Sequence, residues 1–238
     1  MLEIQNLSKY YGKKQILHQV SFKLEPGDIC GFIGANGAGK TTTIKSAIGL
    51  IPFEEGTVTI GGHSIETSPV ECKKILSYVP DNPSLYNFMT GIEYLNFIGD
   101  VFEMTWEQRK EKIDYYGNAF NIFDRLNEKI SEYSHGMQQK VALIAALMHQ
   151  PKLRILDEPF VGLDPTATRF IREEFKRLAS EDGMSILFST HVLEVAEKLC
   201  NRVVIIREGH IVLDESMDAA LQKYSLEDLF IDRMSQHE

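Results

Sequence analysis

The stretch from Gly34 to Thr42, Gly-Ala-Asn-Gly-Ala-Gly-Lys-Thr-Thr, has residue types and spacing that suit polyphosphate chemistry. It fits the pattern G-x-x-x-x-G-K-[ST], whose glycines let backbone N–H groups point into one concavity that accepts phosphate oxygens. Lys40 supplies a mobile positive charge for the outer phosphates, and the hydroxyl of Thr41 is a ligand for Mg2+. The residues expected to contact a nucleotide here are Gly34, Asn36, Gly37, Gly39, Lys40, Thr41 and Thr42.

A loop of this kind needs a strand before it and a helix after it. Residues Asp28 to Ile33 form a short apolar strand candidate, and Thr42 to Leu50 has the character of a helix. The amino-terminal end of that helix would add a favourable dipole for an anion. The flanking elements therefore favour a nucleotide-binding loop over a chance glycine-rich turn.

Two further segments end in side chains that suit hydrolysis. The apolar strand Leu153–Leu156 stops at two adjacent carboxylates, of which Asp157 is placed to reach a Mg2+ shell and Glu158 to face a water near the terminal phosphate. In a doubly wound sheet, ligands bind at the carboxyl ends of the strands. His191 ends another strand, where it can hydrogen-bond the terminal phosphate or the water. A lone histidine is more often structural, so its assignment depends on the surrounding pattern.

The order of strand and helix signals predicts an α/β fold. Leu2–Leu7 and Ile16–Leu24 suggest an antiparallel pair, and Gly56–Ile60 an edge strand. Strands alternating with helices imply a mainly parallel P-loop NTPase core, with an N-terminal antiparallel β subdomain and an inserted α-helical subdomain. We expect the β subdomain and core at 1–84 and 151–215, the insert at 85–150 and a C-terminal helical tail at 216–238.

Helical periodicity dominates the predicted insert. Thr105 and Gln108 have capping-box spacing, and a later helix is expected to begin just after Ser134 and to reach His149, before Pro151. Ser225 to Met234 is expected to form a last amphipathic helix. One helical face is predicted to carry Ile92, Leu95, Ile98 and Phe102.

Composition bears on several classes of protein. The 238 residues carry a net charge of −9, which argues mildly against general nucleic-acid binding and leaves a local basic patch open. The three cysteines follow no metal-ligand spacing and are expected to be reduced thiols in a cytoplasmic protein. No signal peptide is expected, and the longest apolar run, Val141–Met148, is far shorter than the ~20 residues that span a membrane. Work at a membrane would therefore require a partner.

The ordered motifs together resemble the nucleotide-binding subunit of ATP-binding-cassette (ABC) transporters. They are the phosphate loop, Tyr133–Met137 (Tyr-Ser-His-Gly-Met), Asp157-Glu158, Val161–Asp164 and His191, and the resemblance covers nearly the whole chain. The Tyr-Val-Pro-Asp segment and the Asp164-Pro165 pair look most like bacterial export-type members whose membrane subunit is a separate polypeptide.

The resemblance implies ATP and Mg2+ as ligands and a role for each matching residue. Tyr11 would stack on adenine, Asp157 would support Mg2+ together with Thr41, Glu158 would be the general base, and His191 would orient the water. A second set would act on the ATP of another protomer: Ser134, Gly136 and Met137 at its γ-phosphate, with Asp164 communicating across the interface. The implied partners are a second copy or a paralogous ATPase subunit and an integral membrane permease, with no nucleic acid. The implied location is cytoplasmic, on the inner face of the membrane.

The chain departs from the family pattern in two places, the signature segment and position 81. His135 and Met137 replace a glycine and the glutamine of the usual Leu-Ser-Gly-Gly-Gln signature, and Asp81 replaces a glutamine that links Mg2+ to the membrane subunit. A carboxylate at 81 can still bind the metal directly or through water, so Asp81 is included among the expected metal ligands. The aromatic residues Tyr86, Phe88, Tyr94, Phe97 and Phe102 lie where the family forms a groove for the membrane subunit, although they also suit the core of the insert.

Other classes remain as alternatives at this stage. A soluble ABC ATPase acting on ribosomes or DNA usually needs two cassettes in one chain or a long coiled-coil insertion. A GTPase should show Asn-Lys-x-Asp, whereas the nearest match, Asn121–Asp124, lacks the lysine. A P-loop kinase would lack the Tyr133–Met137 and His191 elements.

Overall fold

The computed structural model describes residues 1–222 and 225–235, which fold as two compact units. The first unit comprises Met1–Ser77, Pro151–Asp157 and the described residues from Lys176 onward, and the second comprises Tyr78–Gln150 and Glu158–Phe175. The subdomain boundaries expected at 84/85, 150/151 and 215/216 remain predictions. Within the predicted tail, residues 223, 224 and 236–238 lie outside the described residues.

Ten strands form two sheets in the described part of the chain. Numbered along the sequence, they are β1 (Leu2–Tyr11), β2 (Lys14–Leu24), β3 (Ile29–Ile33), β4 (Glu55–Ile60), β5 (His63–Ser64), β6 (Leu76–Val79), β7 (Leu153–Asp157), β8 (Ser185–Thr190), β9 (Arg202–Arg207) and β10 (His210–Ser216). The first sheet has the order β2-β1-β4-β5 and the second the order β10-β9-β3-β8-β7-β6. The predicted α/β fold class is confirmed.

The first sheet is antiparallel throughout, which confirms the predicted pair. The prediction that Gly56–Ile60 is an edge strand is wrong, since β4 lies between β1 and β5. Gly61 and Gly62 have φ values of 58° and 82°, a left-handed conformation that glycine adopts at little cost. The chain therefore reverses immediately and adds His63–Ser64 as a short outer strand.

The second sheet brings three buried parallel strands together. β3, β7 and β8 are buried at every residue, as expected where both faces of a parallel sheet are covered. In the strand register, Ile33 is opposite Thr190 and Asp157 is opposite Ser189. The carboxyl ends of these strands therefore meet at one edge of the sheet.

Nine α-helices occur among the described residues. They are α1 (Lys40–Ala47), α2 (Pro69–Lys74), α3 (Gly91–Val101), α4 (Trp106–Ala119), α5 (His135–Met148), α6 (Pro165–Asp182), α7 (Leu193–Leu199), α8 (Met217–Ala220) and α9 (Leu226–Ser235). α1 begins two residues before the predicted start and ends at Ala47, because Gly49 turns the chain with a φ of 70°. No helix in the described ranges has the length and hydropathy needed to cross a membrane.

Side-chain caps define several of these helices. The predicted capping box of Thr105 and Gln108 is confirmed at the start of α4, and Thr90 with Glu93 forms another at α3 that the sequence analysis did not include. The hydroxyl of Ser225 accepts a 3.1 Å hydrogen bond from the Asp228 amide at the start of α9.

The aromatic stretch of the second unit is only partly buried. The exposed fractions are 46% for Tyr86, 75% for Phe88 and 37% for Phe97, and the ring of Tyr86 contacts those of Phe88, Tyr94 and Phe97. Burial raises the pKa of the Tyr94 hydroxyl. Of the two interpretations left open by the sequence, a simple core role does not fit Phe88.

Candidate functional site

The phosphate loop lies between β3 and α1 and has the backbone that its sequence requires. Gly37 and Gly39 have φ values of 82° and 111°, and a Cβ on Gly34 would lie 2.5 Å from the carbonyl oxygen of Ile206. The Lys40 side chain is buried, and its Nζ donates to the carbonyl oxygens of Gly34 at 2.7 Å and Ala35 at 3.2 Å. The ammonium is thus held across the loop that would receive the phosphates.

The turn between β9 and β10 is hydrogen-bonded to this loop. The Gly209 amide donates to the Ala38 carbonyl at 2.9 Å, and the Gly209 carbonyl accepts from the His18 amide at 2.9 Å. A Cβ on Gly209 would lie 2.0 Å from the Ile16 carbonyl oxygen, so only glycine fits. Loop residues 35–38 line a cavity of about 290 Å³ together with Arg207 and Glu208.

Asp157 is buried at the end of β7 and is held by two hydroxyl groups. Its Oδ2 accepts a 2.7 Å hydrogen bond from Thr41, and its Oδ1 accepts a 2.5 Å hydrogen bond from Ser189. Sequence reasoning placed Thr41 and Asp157 together but did not include Ser189, although its position two residues before His191 at a strand end was a usable signal. A hydroxyl beside a carboxylate is an oxygen donor set of the kind that Mg2+ prefers.

No group of three or more histidine, cysteine or acidic side chains in the described ranges is arranged to hold a metal. A cation beside Thr41 and Asp157 would therefore take its other ligands from water and phosphate oxygens, which is the usual pattern for Mg2+ in nucleotide sites. The donor set of the chain fits that cation.

The chain turns sharply after Asp157. Glu158 has a φ of 48°, an uncommon conformation for a residue with a side chain, and its carbonyl accepts a 3.2 Å hydrogen bond from the Val161 amide. Glu158 is half-buried and belongs to the second unit, whereas Asp157 belongs to the first. His191 is exposed and follows the last residue of β8, at the edge of the sheet where Asp157 lies.

In the second unit, the Tyr133–Met137 motif caps α5 and packs on the loop that follows Glu158. The hydroxyl of Ser134 accepts from the Met137 amide at 3.3 Å, so Met137 takes part through its backbone. A Cβ on Gly136 would lie 2.5 Å from the Gly162 carbonyl oxygen, and the His135 ring would lie 3.1 Å from a Cβ on Gly162. Gly136 therefore permits the close approach of these two segments.

Asp164 is fixed by two partners in this unit. Its Oδ2 is 2.6 Å from Lys140 Nζ, and its Oδ1 accepts from the Ala167 amide at 2.9 Å, which caps the start of α6. The hydrogen bond from Lys140 is the main reason that the pKa of Asp164 is lowered. Gln139 is buried and donates to the Pro159 carbonyl at 3.3 Å. Lys140 and Gln139 were not predicted, because contacts across 24 and 20 residues leave no periodic signal in the sequence.

Two other expected site residues lie at the surface. Tyr11, at the end of β1, is 54% exposed, with Lys9 Nζ 5.4 Å from the centre of its ring. Asp81 is exposed in the second unit, whereas Thr41 and Asp157 belong to the first. The role of Asp81 as a metal ligand remains a prediction.

Comparison with known proteins identifies the family. The family model described as ABC transporter matches residues 17–161. The linearmycin resistance ATP-binding protein LnrL of Bacillus subtilis (strain 168) is 38% identical over 212 residues, which cover 89% of this chain and 68% of LnrL. The chain belongs to the ABC transporter family. The resemblance recognised from the motifs is therefore confirmed.

Solved ABC transporter subunits share the fold. A structure described as the ATP-binding subunit of an ABC transporter superposes with a TM-score of 0.93 at 32% identity, covering 98% of this chain and 99% of that one. The dimeric ATP-binding cassette MJ0796, bound to ADP and Pi, has a TM-score of 0.82 at 24% identity over 91% of this chain and 99% of its own. This ABC protein is an ATP-binding ATPase subunit, and no comparison supports the kinase, GTPase or soluble ABC alternatives.

Proposed function

We propose that this ABC ATPase drives export through a separate membrane permease, by closing as a dimer on two ATP molecules and reopening after hydrolysis. The observation that carries the proposal is the contact of Thr41 and Ser189 with Asp157 beside the phosphate loop. It supports a single site in which phosphate binding and hydrolysis share one sheet edge.

Thr41 and Asp157 would hold Mg2+ at this edge. When bound, the ion would neutralise the phosphate charge and polarise the terminal phosphoryl group. Lys40 would bind the outer phosphates together with the loop amides of Asn36, Gly37, Gly39 and Thr42. Ser189 would keep the Asp157 carboxylate oriented, since it donates to the oxygen that Thr41 does not contact.

Glu158 is proposed as the general base that takes a proton from the attacking water. Glu158 has a left-handed backbone directly after the end of β7, so its side chain points in a different direction from that of Asp157. His191 would hold the water and the γ-phosphate from the neighbouring strand end. A base of this kind needs to be within hydrogen-bond reach of the water once ATP is bound.

The dimer would complete each site with residues from the partner. Ser134, Gly136 and the backbone of Met137 stand at the start of a 14-residue helix, whose amide groups and dipole favour the γ-phosphate of ATP. Asp164, held by Lys140, would report across the same interface. Because ATP is the ligand that both copies would contact, its loss would let them part.

The permease is the proposed partner of the exposed aromatic surface of the second unit. Tyr86, Phe88 and Phe97 lie close together and keep a large exposed fraction. Such a surface would receive an apolar segment of a membrane subunit and would hold the ATPase at the cytoplasmic face. Export agrees with the motif resemblance and with a relative named for linearmycin resistance.

The dimer is the part of the proposal that purified protein can test. Glu158→Gln should bind ATP, hydrolyse it at least ~100-fold more slowly and elute as a dimer with ATP and Mg2+. With ADP the same variant should elute as a monomer. A Glu158→Gln protein that binds ATP and yet stays monomeric in light scattering at micromolar concentration would contradict the sandwich.

A further inference from the structure

Buried Lys9 and exposed Glu54 form an ion pair beside Tyr11, the residue expected to stack on adenine. Lys9 is only 5% exposed, and its Nζ is 2.9 Å from Glu54 Oε1 and 5.4 Å from the centre of the Tyr11 ring. This proximity is a local feature, because the register of β1 against β2 shifts between Lys9 and Tyr10. The Lys9 ammonium thus contacts both the Glu54 carboxylate and the Tyr11 ring.

The second oxygen of Glu54 holds the backbone next to Tyr11. Pairing of β1 with β4 ends at Ser8 and Glu55, and the Glu54 amide then donates to the Ser8 carbonyl at 3.1 Å. Beyond that point Glu54 Oε2 accepts from the Tyr10 amide at 2.9 Å. The carboxylate therefore bonds to β1 where the backbone of β4 no longer does.

The Glu54 carboxyl is ionised at neutral pH. The hydrogen bond from Lys9, followed by that from the Tyr10 amide, lowers the pKa of Glu54. A buried ammonium requires a partner, and Glu54 supplies it. A cation within about 6 Å of an aromatic face is also attracted to that face, which restrains the ring. Two independent contacts, one to the ring and one to the backbone, thus restrict Tyr11.

We infer that Lys9 and Glu54 are positioning residues that hold the Tyr11 ring ready for the adenine base. The inference rests on the proposed stacking role of Tyr11. Neither residue belongs to the phosphate loop, so the pair should govern the part of the affinity that comes from the base and leave the part that comes from the phosphates unchanged.

Inorganic tripolyphosphate separates these two parts, because it offers the phosphates of ATP without a base. We expect Lys9→Met and Glu54→Gln to weaken ATP binding by about 5- to 10-fold in calorimetry, as expected for loss of one base–aromatic contact. Tripolyphosphate affinity should stay within about 2-fold of wild type, which also shows that the loop is folded. Lys9→Arg should keep most of the ATP affinity, and Lys13→Met, at an exposed position of the adjoining turn, is the matched control.

Combination with Tyr11→Ala shows whether the pair acts through the ring. In a Tyr11→Ala background, Lys9→Met should cause no further loss, since coupled residues are not additive. If Tyr11→Ala itself leaves ATP affinity unchanged, the proposed stacking is wrong. If Tyr11→Ala weakens ATP but Lys9→Met does not, or if Lys9→Met weakens tripolyphosphate to the same degree, the positioning role is overturned.

Discussion

Thr41 donates a 2.7 Å hydrogen bond to Asp157, across 116 residues of sequence. The first residue is on the helix after the phosphate loop, and the second ends a buried strand that is separated from β3 by β8. The same two oxygens are those proposed to hold Mg2+. The hydroxyl would therefore have one role in the stability of the fold and another in hydrolysis.

Removal of this hydroxyl should affect both. Thr41→Val leaves a buried carboxylate with one donor fewer, which should lower the free energy of unfolding by about 1–3 kcal/mol in urea denaturation. It should also raise the Mg2+ concentration for half-maximal ATPase activity by roughly tenfold or more. Thr41→Ser keeps the hydroxyl and should behave nearly as wild type. Equal Mg2+ dependence in the valine and serine variants would remove Thr41 from the metal site.

Asp81 provides a test of the second unusual position. If Asp81 contributes a charge to the metal shell, Asp81→Asn should shift the Mg2+ titration of ATPase activity by several-fold, because the shell loses one negative charge. Asp124, another aspartate of the second unit, serves as the control through Asp124→Asn. Superimposable titrations for wild type and Asp81→Asn would place Asp81 outside the metal shell.

Lys140 should control the activity of the dimer through Asp164. Lys140→Met removes the 2.6 Å partner of Asp164, and we expect ATPase turnover to fall about tenfold while ATP affinity of the monomer is unchanged. Lys140→Arg should recover most of the turnover. Lys110→Met, which breaks an ion pair on the surface of α4, should have little effect.

The same pair predicts a dependence on pH. The pKa of Asp164 is lowered in the folded protein, so its contribution to stability is present above the unfolded pKa of about 4 and is lost as the pH falls through the lowered value. Because Asp164 is about half exposed, the contribution should be small. Wild type and Lys140→Met should therefore differ in free energy of unfolding at neutral pH and converge in acid.

Additive effects of Lys140→Met and Asp164→Asn on ATPase turnover would show that the two residues act independently.

Phe88 tests the proposed permease surface. Phe88→Glu places a charge on a side chain that is 75% exposed, so it should not alter the folding or the ATPase activity of the isolated subunit. Its co-purification with the proposed permease partner should be lost. Trp106→Glu, at an exposed aromatic residue at the start of α4, is the control. Undiminished co-purification of Phe88→Glu would contradict the assigned surface.

Local rules were enough to predict most elements of the fold. The phosphate loop and the capping box at Thr105 each have a signal within a few residues, and both are present. β5 was missed because two residues are too few to show alternation. The same limit explains why α2 and α8, of six and four residues, were not predicted.

The contacts within the site were harder to predict than its members. Ser189, Lys140 and Glu54 meet their partners only after strands and helices have packed, and a sequence without its fold gives no distance between them. An ion pair at Lys9 could have been predicted if its burial had been known, because a lysine on the buried face of a strand requires a counter-charge. The sequence alone did not show which face of β1 is buried at that point, since the pairing of β1 with β2 shifts register on both sides of Lys9.

The shape of the phosphate loop depends on Gly209, which lies outside the loop's sequence motif. Its amide and carbonyl join Ala38 of the loop to His18 of the first sheet, at a point where no side chain fits. The curvature proposed to receive phosphates thus depends on both sheets, through the turn between β9 and β10. Residues 34–42 placed between a foreign strand and helix would keep the sequence motif but lose the contacts of Gly209. Such a protein would match the motif in a sequence search and yet bind nucleotide weakly.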